Sequence, residues 1–241
     1  MELALVSVFG AAKNSFMSFL SSRIFLTLLL LVRSSATVSA VEKNDPVHWE
    51  KSIQQYEAAD KTNPPPHNAI LFIGSSSIRL WKNVAQDFPE HKVINRGFGG
   101  SEIKDSVYFF DRIVKPYQPK QIVMYAGGND INAGQTPEQV FGAFTNFVAK
   151  TREALPKTHI AYISIAPNPL RWAQLERIKA ANKLIEDFTK EDPRLAFINV
   201  FPAMLGEDGK PKPDIFLQDN LHMNAKGYAI WTPIVREYLQ K

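Results

Sequence analysis

The sequence predicts an α/β fold, a three-layer αβα sandwich on a five-stranded parallel sheet, from three observations. Short apolar runs recur along the chain, stretches of helical periodicity separate them, and glycine-rich polar segments follow the first three runs. Strands alternating with helices imply crossover units, which build a parallel sheet covered on both faces.

Each predicted strand is five to seven residues long and rich in Ile, Val, Phe or Tyr: "AILFI" (69–73), "KVINR" (92–96), "QIVMYA" (121–126), "HIAYISI" (159–165) and "LAFINV" (195–200). Continuous apolar runs of this length suit strands buried on both faces. The first helix, over residues 45–61, starts on Asp-Pro and is stopped by "NPPPHN". Residues 101–114 follow with Ser101 as the cap. Residues 136–155 open with Thr, Pro and Glu in capping order, and residues 169–191 and 224–240 carry apolar positions at helical spacing. Pro233 is placed to bend the last of these. "GEDGKPKPD" (206–214) reads as a loop, and the chain has no internal repeat.

Composition narrows the function classes. The 241 residues are 45% hydrophobic and 22% charged, with a formal net charge of +4, which suits one globular domain. Setting aside residues 1–40, with Lys13, Arg23, Arg33 and Glu2, leaves 25 basic and 23 acidic residues. That balance, without any Lys/Arg stripe, argues against nucleic acid as a partner. Cysteine is absent, which removes thiolate nucleophiles, cysteine-ligated zinc and disulfides together.

The N-terminus reads as a signal peptide over residues 1–40. Arg23 precedes an apolar run from Ile24 to Val32, and Val38-Ser39-Ala40 gives a small-x-small cleavage site before Val41. Arg33 cuts the run short of the roughly 20 residues a spanning helix needs, so no stable membrane span is expected in the mature chain. Met17 would give a leader of more usual length and is a candidate true start. Residues 41–241 then form a single exported domain.

In parallel sheets, ligands bind beyond the carboxyl ends of the strands. The first three predicted strands end in "GSSS", "GFGGS" and "GGND", which would converge on one edge. A serine there is a weak nucleophile until a base takes its proton and a partner orients that base. Of the five histidines, His48 and His67 flank the first helix and the proline turn, while His91 and His159 precede strands. His222 lies in "DNLHMN", three residues after Asp219, where both can face one cleft. Acyl transfer also needs donors aimed at an oxyanion. Gly100 offers a backbone N–H, Asn129 its side-chain amide, and the nucleophile its own N–H.

In order along the chain, "FIGSSSI", "NRGFGGS", "GGND" and "DNLH" resemble the four blocks of the SGNH (GDSL) hydrolase superfamily, over nearly all of residues 69–240. Within it the chain is similar to the platelet-activating-factor acetylhydrolase-like branch. The resemblance implies a flavodoxin-like fold and a serine esterase needing no cofactor and no metal. It makes Ser76, second after Gly74, the nucleophile, Asp219 and His222 its partners, and Ser76, Gly100 and Asn129 the oxyanion hole. The family's Asp before the nucleophile is Ser75 in this chain, and Ser77 would open the following helix.

The expected substrate is a small ester, first an acetylated glycan, turned over outside the cytoplasm. Lysophospholipase, thioesterase and acyltransferase activities use the same site, and a silent glycan- or lipid-binding protein is the non-enzymatic alternative. Other notable residues have plainer readings. Trp81 and Trp172 could line an acyl or sugar pocket but read first as core, Asp130 reads as an acceptor or helix cap, and Arg171 and Arg177 could touch an anionic substrate but read first as a solvated helix face.

Overall fold

A computed structural model describes residues 45–241. The predicted leader, with Met17 and the cleavage site before Val41, lies outside the described residues. Five strands form one sheet: β1 (Ile70–Gly74), β2 (Val93–Gly97), β3 (Gln121–Tyr125), β4 (His159–Ile163) and β5 (Leu195–Ile198). All neighbouring pairs are parallel, in the order β2-β1-β3-β4-β5. This is the flavodoxin-like order, in which the chain reverses its direction of travel between β1 and β3 and leaves a crevice at their carboxyl ends.

The helices are α1 (Glu50–Thr62), α2 (Ser76–Leu80), α3 (Val84–Asp87), α4 (Ile103–Tyr108), α5 (Phe110–Ile113), α6 (Gly128–Asn132), α7 (Pro137–Ala154), α8 (Leu175–Thr189) and α9 (Ala225–Arg236). Side chains alternate along each strand, so the sheet feeds two separate cores. Leu71, Ile73, Ile122, Met124 and Tyr162 pack with Phe110, Phe144, Phe147 and Ile185 from α5, α7 and α8. Ile70, Phe72, Val123 and Ile163 pack on the opposite face with Ile78, Trp81, Trp231 and Val235 from α2 and α9 and the turn after α2. Every residue of β1 and β3 is buried, which is why these strands read as unbroken apolar runs.

The expected helices are present with shifted ends. A 3-10 turn over Pro46–Trp49 precedes α1. Thr136 and Gln139 exchange side-chain and backbone hydrogen bonds at the start of α7. The segment 101–114 breaks at Phe109, which packs on Phe98, while Phe110 packs on Phe147. Ser101 does not cap it: its hydroxyl donates to the Phe98 carbonyl at 2.9 Å, and Asp105 instead accepts the Glu102 N–H at 2.8 Å. Pro233 sits inside α9, which continues to Arg236.

Register brings the site together. Gly74 pairs with Gly97 on one side and Tyr125 on the other, so the three glycine-rich ends stop at one level. Gly74 must be glycine: its φ is +127° and a Cβ would fall 2.0 Å from the Tyr125 carbonyl oxygen.

Candidate active site

The serine run turns sharply out of the sheet. The Ser75 N–H still donates to the Tyr125 carbonyl at 2.9 Å, as a last ladder bond. Its own carbonyl then accepts the N–H groups of Ile78 and Arg79, starting α2. Helix α2 therefore opens at Ser76 with Ser75 as the flanking residue, one position earlier than the Ser77 start expected. Ser75 and Ser77 are buried and Ser76 is partly open. The Tyr228 hydroxyl on α9 donates to the Ser77 carbonyl at 2.8 Å and holds the turn from the other side.

His222 approaches from the loop before α9. Asp219 Oδ1 accepts the N–H groups of Leu221 at 3.0 Å and His222 at 2.9 Å, which closes the loop around the carboxylate. Asp219 Oδ2 lies 2.6 Å from His222 Nδ1, and His222 Nε2 lies 2.9 Å from Ser76 Oγ. A carboxylate only accepts, so Nδ1 carries the proton and Nε2 presents its lone pair to the serine hydroxyl. Partial burial alone would raise the Asp219 carboxyl, but the hydrogen bonds from the His222 ring and the two backbone N–H groups outweigh it and hold the group at about 2. A hydroxyl bonded to an imidazole that a carboxylate orients is the arrangement general-base proton removal requires.

Asn129 stands on the first turn of α6, across the crevice from α2. Its Nδ2 donates to the Ser101 carbonyl at 3.0 Å, and its Oδ1 accepts from Arg171 at 3.0 Å. One amide proton remains for a ligand. Asp130 is wholly buried and accepts the N–H groups of Ile103 at 3.0 Å and Gly127 at 3.1 Å, tying the second and third glycine segments together. It is thus an acceptor between loops, and burial pushes its carboxyl up to about 7.

A cavity of about 30 Å³ lies between these groups, lined by Ser76, Asn129, Asn168, Arg171, His222 and Met223 among others. Ser76, Asn129, Asp219 and His222 are thus brought together. Gly100 is exposed against Trp49, next to the Ser101 carbonyl that Asn129 holds, and is not in the cavity wall.

Arg171 departs from its expected place on a solvated helix face. It precedes the helical turn at Trp172 and lines the cavity, because Pro167 and Pro169 keep the segment after β4 out of helix. Arg177 is half-buried and donates to the Gln135 carbonyl. Trp81 is core, as expected, and Trp172 is half-buried. No group of three His, Cys, Asp or Glu among the described residues could hold a metal ion.

Fold and family together define a doubly wound α/β hydrolase of ester bonds. The chain belongs to the GDSL-like lipase/acylhydrolase family, whose model matches residues 73–230. No curated protein matches it. Among solved structures it is similar to a Streptococcus pneumonia protein assigned as a platelet activating factor, at 21% identity, with a TM-score of 0.72 over 85% of this chain and 99% of that one. A GDSL-like lipase from Bacteroides thetaiotaomicron is also 21% identical, with a TM-score of 0.63 over 77% and 96%. A mutant of Axe2, an acetyl-xylooligosaccharide esterase from Geobacillus Stearmophilus, is 14% identical, with a TM-score of 0.59 over 73% and 96%. At these identities the likeness is one of fold.

Proposed function

We propose that the protein is an exported serine esterase that removes short acyl groups, acetyl first, from carbohydrate esters. The observation that carries the chemistry is the continuous line of hydrogen bonds from Asp219 through His222 to Ser76 at the edge of a small cavity. Ser76 Oγ attacks the ester carbonyl carbon while His222 Nε2 takes its proton. The resulting oxyanion is held by the Ser76 N–H group and the free Asn129 amide proton. Collapse passes the proton from His222 to the leaving alcohol oxygen and leaves an acyl-serine. Water, deprotonated by His222, then releases the acid and restores Ser76.

The small space beside Ser76 supports a short acyl group. Support for a glycan alcohol comes from the fold neighbours, one named as an acetyl-xylooligosaccharide esterase and another as a carbohydrate esterase from Talaromyces cellulolyticus. Export rests on the N-terminal leader pattern, and N-terminal sequencing of secreted product tests it: a mature chain starting at Val41 is expected. For the activity, p-nitrophenyl esters from acetate to decanoate are to be compared with acetylated xylan. Turnover falling steeply beyond butyrate, with acetate released from xylan, is expected. A preference for long chains would overturn the acetylesterase reading, and acetyl transfer to an added sugar in place of hydrolysis would make the protein a transferase.

A further inference from the structure

Arg171 occupies an unusual position for a cation. It lines the cavity beside Ser76, Asn129 and His222. One guanidinium nitrogen donates to Asn129 Oδ1 at 3.0 Å, and the Arg171 backbone N–H donates to Asn168 Oδ1 at 2.9 Å. Its guanidinium makes no other hydrogen bond to a described residue, so most of the donors of this cavity-lining residue are unused. The arginines at 96, 112, 152, 194 and 236 each pair with a carboxylate. Arg171 has no such partner among the described residues.

The guanidinium is also held in place. Pro167 and Pro169 flank Asn168, whose side chain fixes the Arg171 backbone. The neighbouring Leu170 N–H donates to the Asn220 carbonyl at 3.1 Å, which joins this loop to the one carrying Asp219 and His222. Burial lowers the Arg171 pKa from its ordinary value, yet a guanidinium keeps its proton at any working pH. A partly desolvated, preorganised cation without a counter-charge is costly to leave alone and favourable to pair.

We propose that Arg171 forms an anion subsite, and that the natural ester carries a carboxylate close to the scissile bond, which Arg171 binds. A carboxylate matches the planar donor set of a guanidinium. The inference rests on Ser76 acting as the esterase nucleophile. The charge has two possible places, on the acyl half as in a dicarboxylic half-ester, or on the alcohol half as in an acidic sugar.

Two substrate pairs separate these. p-Nitrophenyl monosuccinate is compared with p-nitrophenyl butyrate for the acyl side, and acetylated methyl glucuronoside with acetylated methyl glucoside for the alcohol side. Each pair is run on the unaltered protein, on Arg171→Gln, which keeps an N–H donor for Asn129 Oδ1 without the charge, and on Arg171→Lys, which keeps the charge. In one of the pairs the unaltered protein should favour the anionic member in kcat/KM by about tenfold to a hundredfold, the range for a charged hydrogen bond. Arg171→Gln should bring that ratio near unity, mainly through KM, and Arg171→Lys should retain part of it. A ratio near unity for the unaltered protein in both pairs overturns the proposal. So does an Arg171→Gln protein slowed equally on both members, which would make Arg171 a positioning residue for Asn129. Ser76-dependent turnover without a charge preference sinks this inference alone, whereas turnover indifferent to Ser76→Ala sinks the esterase reading beneath it.

Discussion

Ser76 Oγ and His222 Nε2 stand 2.9 Å apart although 146 residues separate them in the chain. The contact depends on two independent anchors: the β1 ladder, which delivers the serine turn, and the loop closed by Asp219, which delivers the ring. If these residues act as one unit, their losses should not add. Ser76→Ala and His222→Ala are each expected to lower kcat for p-nitrophenyl acetate by roughly 10⁴-fold or more, with the double variant no worse. A fluorophosphonate probe should label the unaltered protein at Ser76 and leave folded Ser76→Ala unlabelled. Asp219→Asn should cost about 10⁴-fold as well, since an amide facing Nδ1 favours the wrong tautomer.

Asn129 makes a separate prediction. Its amide is fixed at both ends, by the Ser101 carbonyl and by Arg171, so its remaining proton points in a set direction. A donor that strengthens only as the oxyanion forms affects kcat more than KM. Asn129→Ala should therefore lower kcat by about 10²- to 10³-fold with little change in KM. A rise in KM at constant kcat would instead assign Asn129 to ground-state binding.

Much of this was legible in the sequence because buried parallel strands read as plain apolar runs, and the polar residues after them fall at one edge whatever the helices do. The three strand ends holding Ser76, the Gly100 segment and Asn129 could be placed on that basis. Arg171 reads from sequence first as a solvated residue and only second as a contact for an anion, because a charged residue beside a tryptophan in a periodic stretch looks like an exposed helix face. The helix in fact starts at Leu175, and "PNP" (167–169) was the signal that the segment before it stays non-helical. The break at Phe109 carried no sequence signal, since no Gly or Pro marks it within 101–114.

The turn that delivers Ser76 depends on Gly74. Alanine there would take a φ of +127°, and its Cβ would meet the Tyr125 carbonyl oxygen, which is itself bonded to the Ser75 N–H. Strand β3 cannot retreat, because β4 pairs with its other edge. Gly74→Ala is expected to cost about 3 kcal/mol or more in urea unfolding, combining backbone strain with the overpacking it forces. Activity should fall even where the variant still folds. A loss under about 1 kcal/mol would mean the ladder yields more readily than its pairing suggests.

Asp130 sets a pH dependence of stability. It is wholly buried, its two oxygens accept the N–H groups of Ile103 and Gly127, and the Glu102 and Asp105 carboxylates lie near enough to disfavour its charge. Burial first, and those neighbours with it, push its carboxyl up to about 7 from an ordinary 3.8. Between these values the folded chain holds a proton that the unfolded chain releases. The resulting stabilisation is therefore complete below about pH 4 and is lost as pH rises through about 7. Asp130→Asn removes the titration, and by turning an acceptor oxygen into a donor it costs about 1–3 kcal/mol at acid pH. Urea unfolding of both proteins from pH 5 to pH 8 isolates this group, because the other titrations cancel in the difference. The gap in stability should narrow as pH rises. A gap that stays constant over this range would show that Asp130 is already ionised in the folded protein, with its two backbone N–H bonds outweighing burial.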